Sequence, residues 1–491
     1  MSTTTLTIPP VAEQARPPRP ARPDNRAPWL GFLVVLAAAV MDLLDSTIAQ
    51  TAAPAIRRDL GGSYADLEWI TAAYTLAMSA TLLLGSRLGD VLGRRRVLLV
   101  GIGGFVGASV LCAFAPTPAT LIAARAFQGT IAAVMVPQGF GLIRELFGDD
   151  GQQKAFGVFG PVMGLAAVAG PLLGGGIVNL DVLGSGWRAI FLVNVPVGLA
   201  AIVAGRRFLP RVAPATAGVR LDAPSVLLAM VGSVALVYPL IQGREHGWPA
   251  WSFVLIAGGV IALGAFAALQ ARRSRQGRTP LVEPSILRRR PYVAGLAVVL
   301  GFIGAMGGMM IALNVMFQAG LGFSPLACGV ATVAIPVAAI GGSITSSALL
   351  ARIGRTTMHI GIVTMAIGLV VVDLVMRTSN ASVSGWELAG PLAIAGFGMG
   401  MVFVPMFDVI LAGVAPHELG SASGLLESVQ QLAMSLGIAA VGTVLFEHLG
   451  TGRGPAAFVG AADHALLVAV AFLVGAGASV FWLPKHARAV H

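Results

Sequence analysis

Fourteen apolar runs of about 20 residues or more divide this chain, the first near residues 29–52 and the last near 463–483. A helix needs about 20 apolar residues to cross the hydrocarbon core of a bilayer. The pattern therefore predicts an all-α polytopic membrane protein with 14 transmembrane helices. Most connections are too short to hold a soluble catalytic domain. Composition agrees, since 11% of the 491 residues are charged against about 25% in a soluble domain. The first run is too long for a signal-peptide core of about 7 to 15 residues and is read as a retained helix. Residues 1–28, rich in Pro and Arg and without an apolar face, are expected to form a disordered cytoplasmic arm. Cys112 and Cys328 lie in apolar stretches without redox or zinc spacing, which rules out a disulfide framework.

The net charge of +10 tests the helix count. Cytoplasmic loops of membrane proteins carry an excess of Lys and Arg. With the amino terminus inside, only Arg57, Arg58, Arg188, Arg244, Arg377 and Arg453 fall in external segments. Arg125 is left inside the fourth helix, and the other 25 of the 32 basic residues are cytoplasmic. Such a split supports an even number of helices with both termini in the cytoplasm. The basic surplus is thus topological, and nucleic acid is not expected as a partner.

The loop after the second helix reads GSRLGDVLGRRRVLL, and the loop after the tenth reads SSALLARIGRTTM, a degraded copy of the same Leu, Gly and Arg pattern. Repeated halves are the usual build of secondary transporters, with the site at their interface. The expected organisation is a six-helix bundle over 29–208, an inserted pair over 222–270 and a basic cytoplasmic linker over 271–290. A second six-helix bundle over 291–483 and a cytoplasmic tail over 484–491 follow.

A charge near the bilayer centre costs at least about 2.5 to 3.5 kcal/mol, so ionisable residues at depth are functional candidates. Asp42, Asp45, Asp373, Asp408 and Glu427 qualify, with Arg125 as the one deep cation. Asp42 and Asp45 are three apart on one helical face. Two carboxylates that close in a low dielectric resist simultaneous ionisation, the property a proton carrier needs. At 1.5 Å per residue, Asp45 sits about 10 Å and Arg125 about 9 Å below the same membrane face, so the two can pair. A static ion pair that only fixes helix packing is the alternative. Asp408, near the cytoplasmic end of helix 12, and Glu427, about a quarter of the way into helix 13, are candidates for attracting a cationic substrate or taking a second proton. Asp373, nearer the outer end of helix 11, reads as a solvated or structural acid. Helix 9 carries Met306, Met309, Met310, Met316 and Phe317 with Asn314 and Gln318 between them. Methionine is flexible and polarisable and suits a promiscuous apolar surface, although such a stripe also serves packing or lipid contact. The seven His residues form no metal-spaced cluster and are given no role.

Taken together, these segments resemble the fourteen-spanner drug:proton antiporters of the major facilitator superfamily. LDSTIAQTAAPAI (Leu44 to Ile56) resembles the family's LDxTIVNVALPxI, with Gln50 and Ala52 replacing Asn and Val; the resemblance places the coupling role on Asp45. GSRLGDVLGRRR resembles the cytoplasmic GxLaDrxGrkxxl, with Asp90, Gly93, Arg94 and Arg95 at matching positions and Ser86 and Val91 departing. This loop is expected to act as a conformational gate, Asp90 capping the helix of the other half that starts near residues 417–419. RAFQGTIAA (Arg125 to Ala133) resembles RxxQGxgaA, a pattern linked to proton transfer, and makes Gln128 a site candidate. AGPLLGG (Ala169 to Gly175) matches the GPxxGG core associated with antiporters through Gly170, Pro171, Gly174 and Gly175, with Ala166 replacing an upstream Gly. Small residues there let helices approach closely and Pro171 bends the helix. WRAIFLVNVPVGL (Trp187 to Leu199) is close to a signature of the fourteen-spanner branch.

The resemblance implies a monomer in a bacterial cytoplasmic membrane, no enzyme and no cofactor beyond the coupling proton. Alternating access would exchange protons for small lipophilic or cationic drugs or antibiotics. Asp45, Asp42 and Arg125 are expected to couple protons. Asp408, Glu427, Gln128, Met309, Asn314, Phe317 and Gln318 are expected to meet substrate. A proton-coupled symporter for a small organic nutrient is the alternative within transport, and the GPxxGG helix argues against it. A polytopic membrane enzyme would need clustered catalytic groups, and the loops offer no HExxH, nucleophile with base, or metal set. A bare fourteen-helix chain without a signalling domain also disfavours a sensor.

Overall fold

The computed structural model describes residues 27–181, 185–211, 222–278, 280–378, 385–411, 414–415, 418–450, 452 and 454–485. Among these residues there is no strand, and fourteen helices are long and apolar enough to cross a membrane. The first six are α1 (Pro28–Leu60), α2 (Tyr64–Leu92), α3 (Arg94–Ala113), α4 (Pro118–Gly148), α5 (Lys154–Leu180) and α6 (Gly186–Phe208). Next come α7 (Pro224–Glu245) and α8 (Ala250–Arg275). The last six are α9 (Arg290–Gly320), α10 (Pro325–Leu350), α11 (Thr356–Thr378), α12 (Gly385–Leu411), α13 (Leu419–Leu449) and α14 (Pro455–Val480). With an even number of spans, the first and last described residues lie at one end, here called the terminal end; the opposite end is the far end. The arm expected over 1–28 lies outside the described residues except for its last two positions.

Local chemistry sets where the spans begin and stop. At the start of α2 the Asp66 N–H donates to Ser63 Oγ at 3.1 Å and the Ser63 N–H to Asp66 Oδ2 at 2.8 Å, a reciprocal cap that satisfies two otherwise orphaned donors. Thr117 and Thr120 make the same box before α4, with Pro118 at the first helical position. Between α4 and α5 the chain turns at Gly148, whose φ of 63° is left-handed and open to glycine without a Cβ penalty.

Packing reveals the repeat more clearly than sequence does. In the first half α1 packs on α5 and α6, α2 on α4, and α3 on α4 and α6. The second half repeats every one of these pairings eight spans later: α9 on α13 and α14, α10 on α12, and α11 on α12 and α14. Close approach through glycine recurs with them. A Cβ at Gly129 of α4 would sit 2.1 Å from the Tyr74 carbonyl oxygen of α2, and one at Gly400 of α12 would sit 2.0 Å from the Ala339 carbonyl oxygen of α10. Helix pairs in lipid associate through such backbone proximity because water supplies no hydrophobic drive there. The spans outside the repeat are α7 and α8, which pack on each other, with α7 also against α2 and α13.

The two bundles meet on three fronts. The α2–α13 seam runs from the far end to the middle of α2, from Tyr64 stacked on Phe446 at 4.4 Å, through Thr75 and Ser435 hydroxyls 2.7 Å apart, to Ser79 donating to the Ser428 carbonyl at 2.9 Å. Near the far end, Gln318 of α9 donates to the Thr51 carbonyl of α1 at 2.6 Å. Also at the far end, α5 and α10 touch so closely that a Cβ at Gly175 would be 2.4 Å from the Pro325 carbonyl oxygen and one at Gly329 2.4 Å from that of Pro171. Toward the terminal end the same pair diverges. A Cβ at Gly164 would still be 4.0 Å from Ile340, and Gly160 and Gly157 face open space. The α5–α10 front is therefore closed at the far end and parts toward the terminal end.

Candidate functional site

Asp45 is sealed inside the first bundle, 3% exposed. One oxygen, Oδ2, accepts from Arg125 of α4. The other, Oδ1, accepts from Gln128 Nε2 of α4 at 2.8 Å and from Asn194 Nδ2 of α6 at 2.9 Å. Ser109 Oγ of α3 ties the last two together, accepting from Gln128 at 2.9 Å and Asn194 at 3.1 Å. Arg125 is equally enclosed. Its Nη1 also donates to Gln128 Oε1 at 2.6 Å and its Nε to the Ile70 carbonyl of α2 at 3.3 Å. The guanidinium lies 4.4 Å above the Tyr74 ring. Four helices thus converge on one carboxylate with every nearby polar group engaged, and in a low dielectric such a network holds a single arrangement.

Asp42, one turn away on α1, is only half-buried and accepts a hydrogen bond from the Tyr74 hydroxyl. Tyr74 therefore touches both charged centres, its hydroxyl on Asp42 and its ring beneath Arg125. Glu427 on α13, also half-buried, lies within electrostatic range of Asp42. Asp408 is exposed near the terminal end of α12. Replacing Tyr74 with Phe keeps the ring under Arg125 and removes only the hydroxyl from Asp42. The expected result is transport with its pH profile displaced and its maximal rate within about threefold of the parent, since one hydrogen bond to a charged group contributes about 1.5–3 kcal/mol to the state that makes it. Transport rates measured across pH check it, and an unmoved profile would leave the Tyr74–Asp42 hydrogen bond as packing alone.

Several residues read from sequence sit elsewhere than expected. Met309 and Phe317 face the interior of the second bundle, both 0% exposed, and Phe317 stacks on Phe323 at 5.3 Å. The α9 face toward the first bundle is instead Gly307, Ile311 and Asn314, which with Gln50 and Thr71 line a small gap. Helical spacing accounts for the placement of Met309, which shares one side with Met316, while 311, 314 and 318 share another. Asn314 and Gln318 are nevertheless buried, Asn314 donating to the Met310 carbonyl at 2.8 Å. Asp373 accepts from Arg377 at 2.9 Å, and Arg377 also donates to Asp463 of α14.

The loop between α2 and α3 does not reach the second bundle in this conformation. Asp90 pairs with Arg94 at 3.0 Å, and Arg94 lies 3.5 Å from Glu145 of α4. Arg95 donates to the Arg206 carbonyl at 2.6 Å, and Gly93 turns the chain with φ 87°. Glu418 stands at the N-cap of α13 and makes no side-chain cap hydrogen bond there, and Asp90, expected to cap this helix, pairs with Arg94 of its own bundle. The charges of Asp90, Arg94 and Arg95 are met within the first bundle instead. In α5, a Cβ at Gly170 would be 2.2 Å from Thr47 Oγ1 and one at Gly174 3.1 Å from the Ile48 Cα, so these two glycines seat α5 on α1. Gly175 and Pro171 form the contact with α10.

Sequence reasoning missed Asn194, Tyr74 and Ser109. A lone Asn inside the apolar WRAIFLVNVPVGL run was the available signal. It also missed the pair Glu68 and Arg244, which lie at span ends where a charge reads as solvated.

The sequence profile described as Major Facilitator Superfamily matches residues 35–438. The chain is 44% identical over 424 residues to the "Probable actinorhodin transporter" of Streptomyces coelicolor, covering 86% of this chain and 73% of that protein. It is 38% identical to the "Puromycin resistance protein pur8" of Streptomyces alboniger, covering 92% and 90%. Identity is 29% to the "Multidrug efflux pump LfrA" of Mycolicibacterium smegmatis, covering 87% and 82%. Among solved structures, an "auto inhibited POT family peptide transporter" superposes with a TM-score of 0.63 at 17% identity, over 91% of this chain and 96% of that one. That likeness bears on the fold alone.

Proposed function

The chain belongs to the major facilitator superfamily, and from that premise we propose that it exports amphipathic antibiotic-type molecules, cations among them, in exchange for protons. It is a multi-pass membrane transporter and not an enzyme. The resistance and efflux relatives support the outward direction. In the proposed orientation both termini are cytoplasmic in a bacterial inner membrane, so the terminal end faces the cytoplasm and receives substrate. The observation that carries the coupling is the geometry of Asp45: a carboxylate sealed from water, balanced by one guanidinium and linked through the Tyr74 ring and hydroxyl to Asp42 in the gap.

A charged residue held this deep is a functional site by default. A proton arriving at Asp42 relieves the hydrogen bond demanded of Tyr74 and loosens the ring beneath Arg125. When Asp45 takes the proton, Arg125 loses its counter-charge and the four-helix arrangement must readjust. That readjustment lies within the bundle that carries α1, α4 and α5, and two of those helices form the far-end closure. Glu427 and Asp408 give the gap and its mouth a negative lining that suits cationic substrates. No further cofactor and no second copy of the chain are needed for this cycle.

Everted membrane vesicles energised with an acid interior test the reading, with ethidium and puromycin as probes. Uphill accumulation of the probe and release of luminal protons on its addition are expected. Accumulation that ignores an imposed pH gradient, or that follows its reversal as uptake with protons, would replace antiport by facilitated diffusion or symport.

A further inference from the structure

The inserted pair is fastened to both bundles. At the far end of α7 the Arg244 guanidinium donates to Glu68 of α2 at 2.8 Å and to the Gly442 carbonyl of α13 at 3.2 Å. It also lies 5.0 Å over the ring of Phe446, which is the ring stacked on Tyr64. One turn below, Thr443 Oγ1 of α13 donates to the Leu240 carbonyl of α7 at 2.5 Å. The terminal end is held differently, by main-chain contacts of the linker. Gln270 of α8 accepts from the Leu281 N–H at 2.8 Å, the Glu283 N–H donates to Ser421 Oγ of α13 at 2.9 Å, and Arg87 of α2 donates to the Pro280 carbonyl at 3.1 Å.

Glu68 is fully buried, and its second oxygen, Oε2, has no hydrogen-bond partner among the described residues. Among the described residues its ion-pair partner is Arg244. Gly442 makes the site possible, since a Cβ there would stand 2.8 Å from the Glu68 carboxyl carbon. A buried ion pair contributes little net stability against an apolar replacement, yet breaking it by removing one partner is costly. Such a pair is suited to specifying one arrangement of the surfaces it joins. Here those surfaces belong to opposite bundles, and when the far end opens, Glu68 and Gly442 separate and Arg244 keeps only one of them.

We propose that Arg244 and Glu68 are positioning residues through which the inserted pair latches the far end of the α2–α13 seam shut. The latch requires only that the bundles move relative to each other, and it is independent of the choice of substrate and coupling ion. Spin labels at Arg58→Cys on α1 and Glu447→Cys on α13 report the far-end separation; both positions are exposed, while native Cys112 and Cys328 are buried. In the purified full-length protein in lipid nanodiscs, with no probe or gradient, Arg244→Gln is expected to raise the open-to-closed ratio by about tenfold. Arg244→Lys, which keeps the charge and several donors, is expected to return most of the closed population. If the single variant does not fold, Glu68→Gln/Arg244→Gln strands no charge and is read in the same way. A far-end distance distribution unchanged in these Gln variants overturns the proposal. Equal opening in Arg244→Lys and Arg244→Gln overturns the ionic role and leaves simple packing.

Discussion

Asp45→Asn is expected to abolish uphill export, lowering the steady-state gradient by about a hundredfold or more, while the protein still binds substrate. The amide matches the carboxylate in size, so α1 keeps its seat against α4 and α6. What it cannot do is take and release a proton, and it cannot neutralise Arg125. The guanidinium then lies buried without its counter-charge, a loss that costs about 3–5 kcal/mol when one member of a buried pair is removed. A lower melting temperature is therefore part of the expected result. Two measurements separate the effects: equilibrium binding of ethidium to the purified variant, expected to survive, and accumulation in everted vesicles, expected to be lost. A folded Asp45→Asn protein that binds ethidium and still concentrates it would leave the Asp45–Arg125 pair as a fixed structural tie.

Gly175→Val carries the second large effect and acts on closure rather than on the proton. The added Cβ would lie 2.4 Å from the Pro325 carbonyl oxygen and 2.6 Å from the Leu326 Cα. These are backbone atoms and cannot rotate aside, so α5 and α10 must part at the far end. Overpacking of this kind costs about 1–3 kcal/mol, and about 1.4 kcal/mol changes a population ratio tenfold. The closed far end seen here should become a minor state, with net export falling by about tenfold or more. Gly176 is the internal control. A Cβ there meets nothing within 4 Å, so Gly176→Ala is expected to transport like the parent. Cross-linking across the far end together with export assays checks both, and equal activity in the two variants would reduce this Gly-rich turn of α5 to a packing detail.

The spans were legible because lipid imposes a crude rule, length times hydrophobicity, that each helix obeys on its own. Depth was legible for the same reason: a fixed rise per residue put Asp45 and Arg125 at one level, and the structure joins them. Facing was not. Helices hydrophobic all round carry almost no amphipathic signal, and so the Met and Phe positions of α9 could not be assigned to the core or to the gap. Met309 and Phe317 turn inward, and of the expected substrate residues of α9 it is Gln318 and Asn314 that approach the first bundle. Neutral polar partners were hidden for a further reason. Asn194, Ser109 and Tyr74 cost little enough in a membrane helix to pass as ordinary, yet they complete the surroundings of Asp42, Asp45 and Arg125. Glu68 and Arg244 escaped because charge near a span end is normally wet, whereas here the inserted pair covers it. Asp90 shows the complementary limit. Its motif was readable, but its carboxylate pairs with Arg94 of its own bundle rather than with the start of α13.

The internal balance of the Asp45–Arg125 pair has an electrical consequence. A unit of opposite charges carries no net charge, so moving it with its bundle across part of the membrane field requires no work from the potential. Among the described residues Asp42 and Glu427 form no such ion pair, and each that is ionised adds up to about 2.3 kcal/mol per 100 mV for a full crossing of the field. In the proposed exchange cycle, voltage dependence would then reside in these two half-buried acids, and the number of protons they hold at each step would decide whether the membrane potential assists the turnover or is indifferent to it.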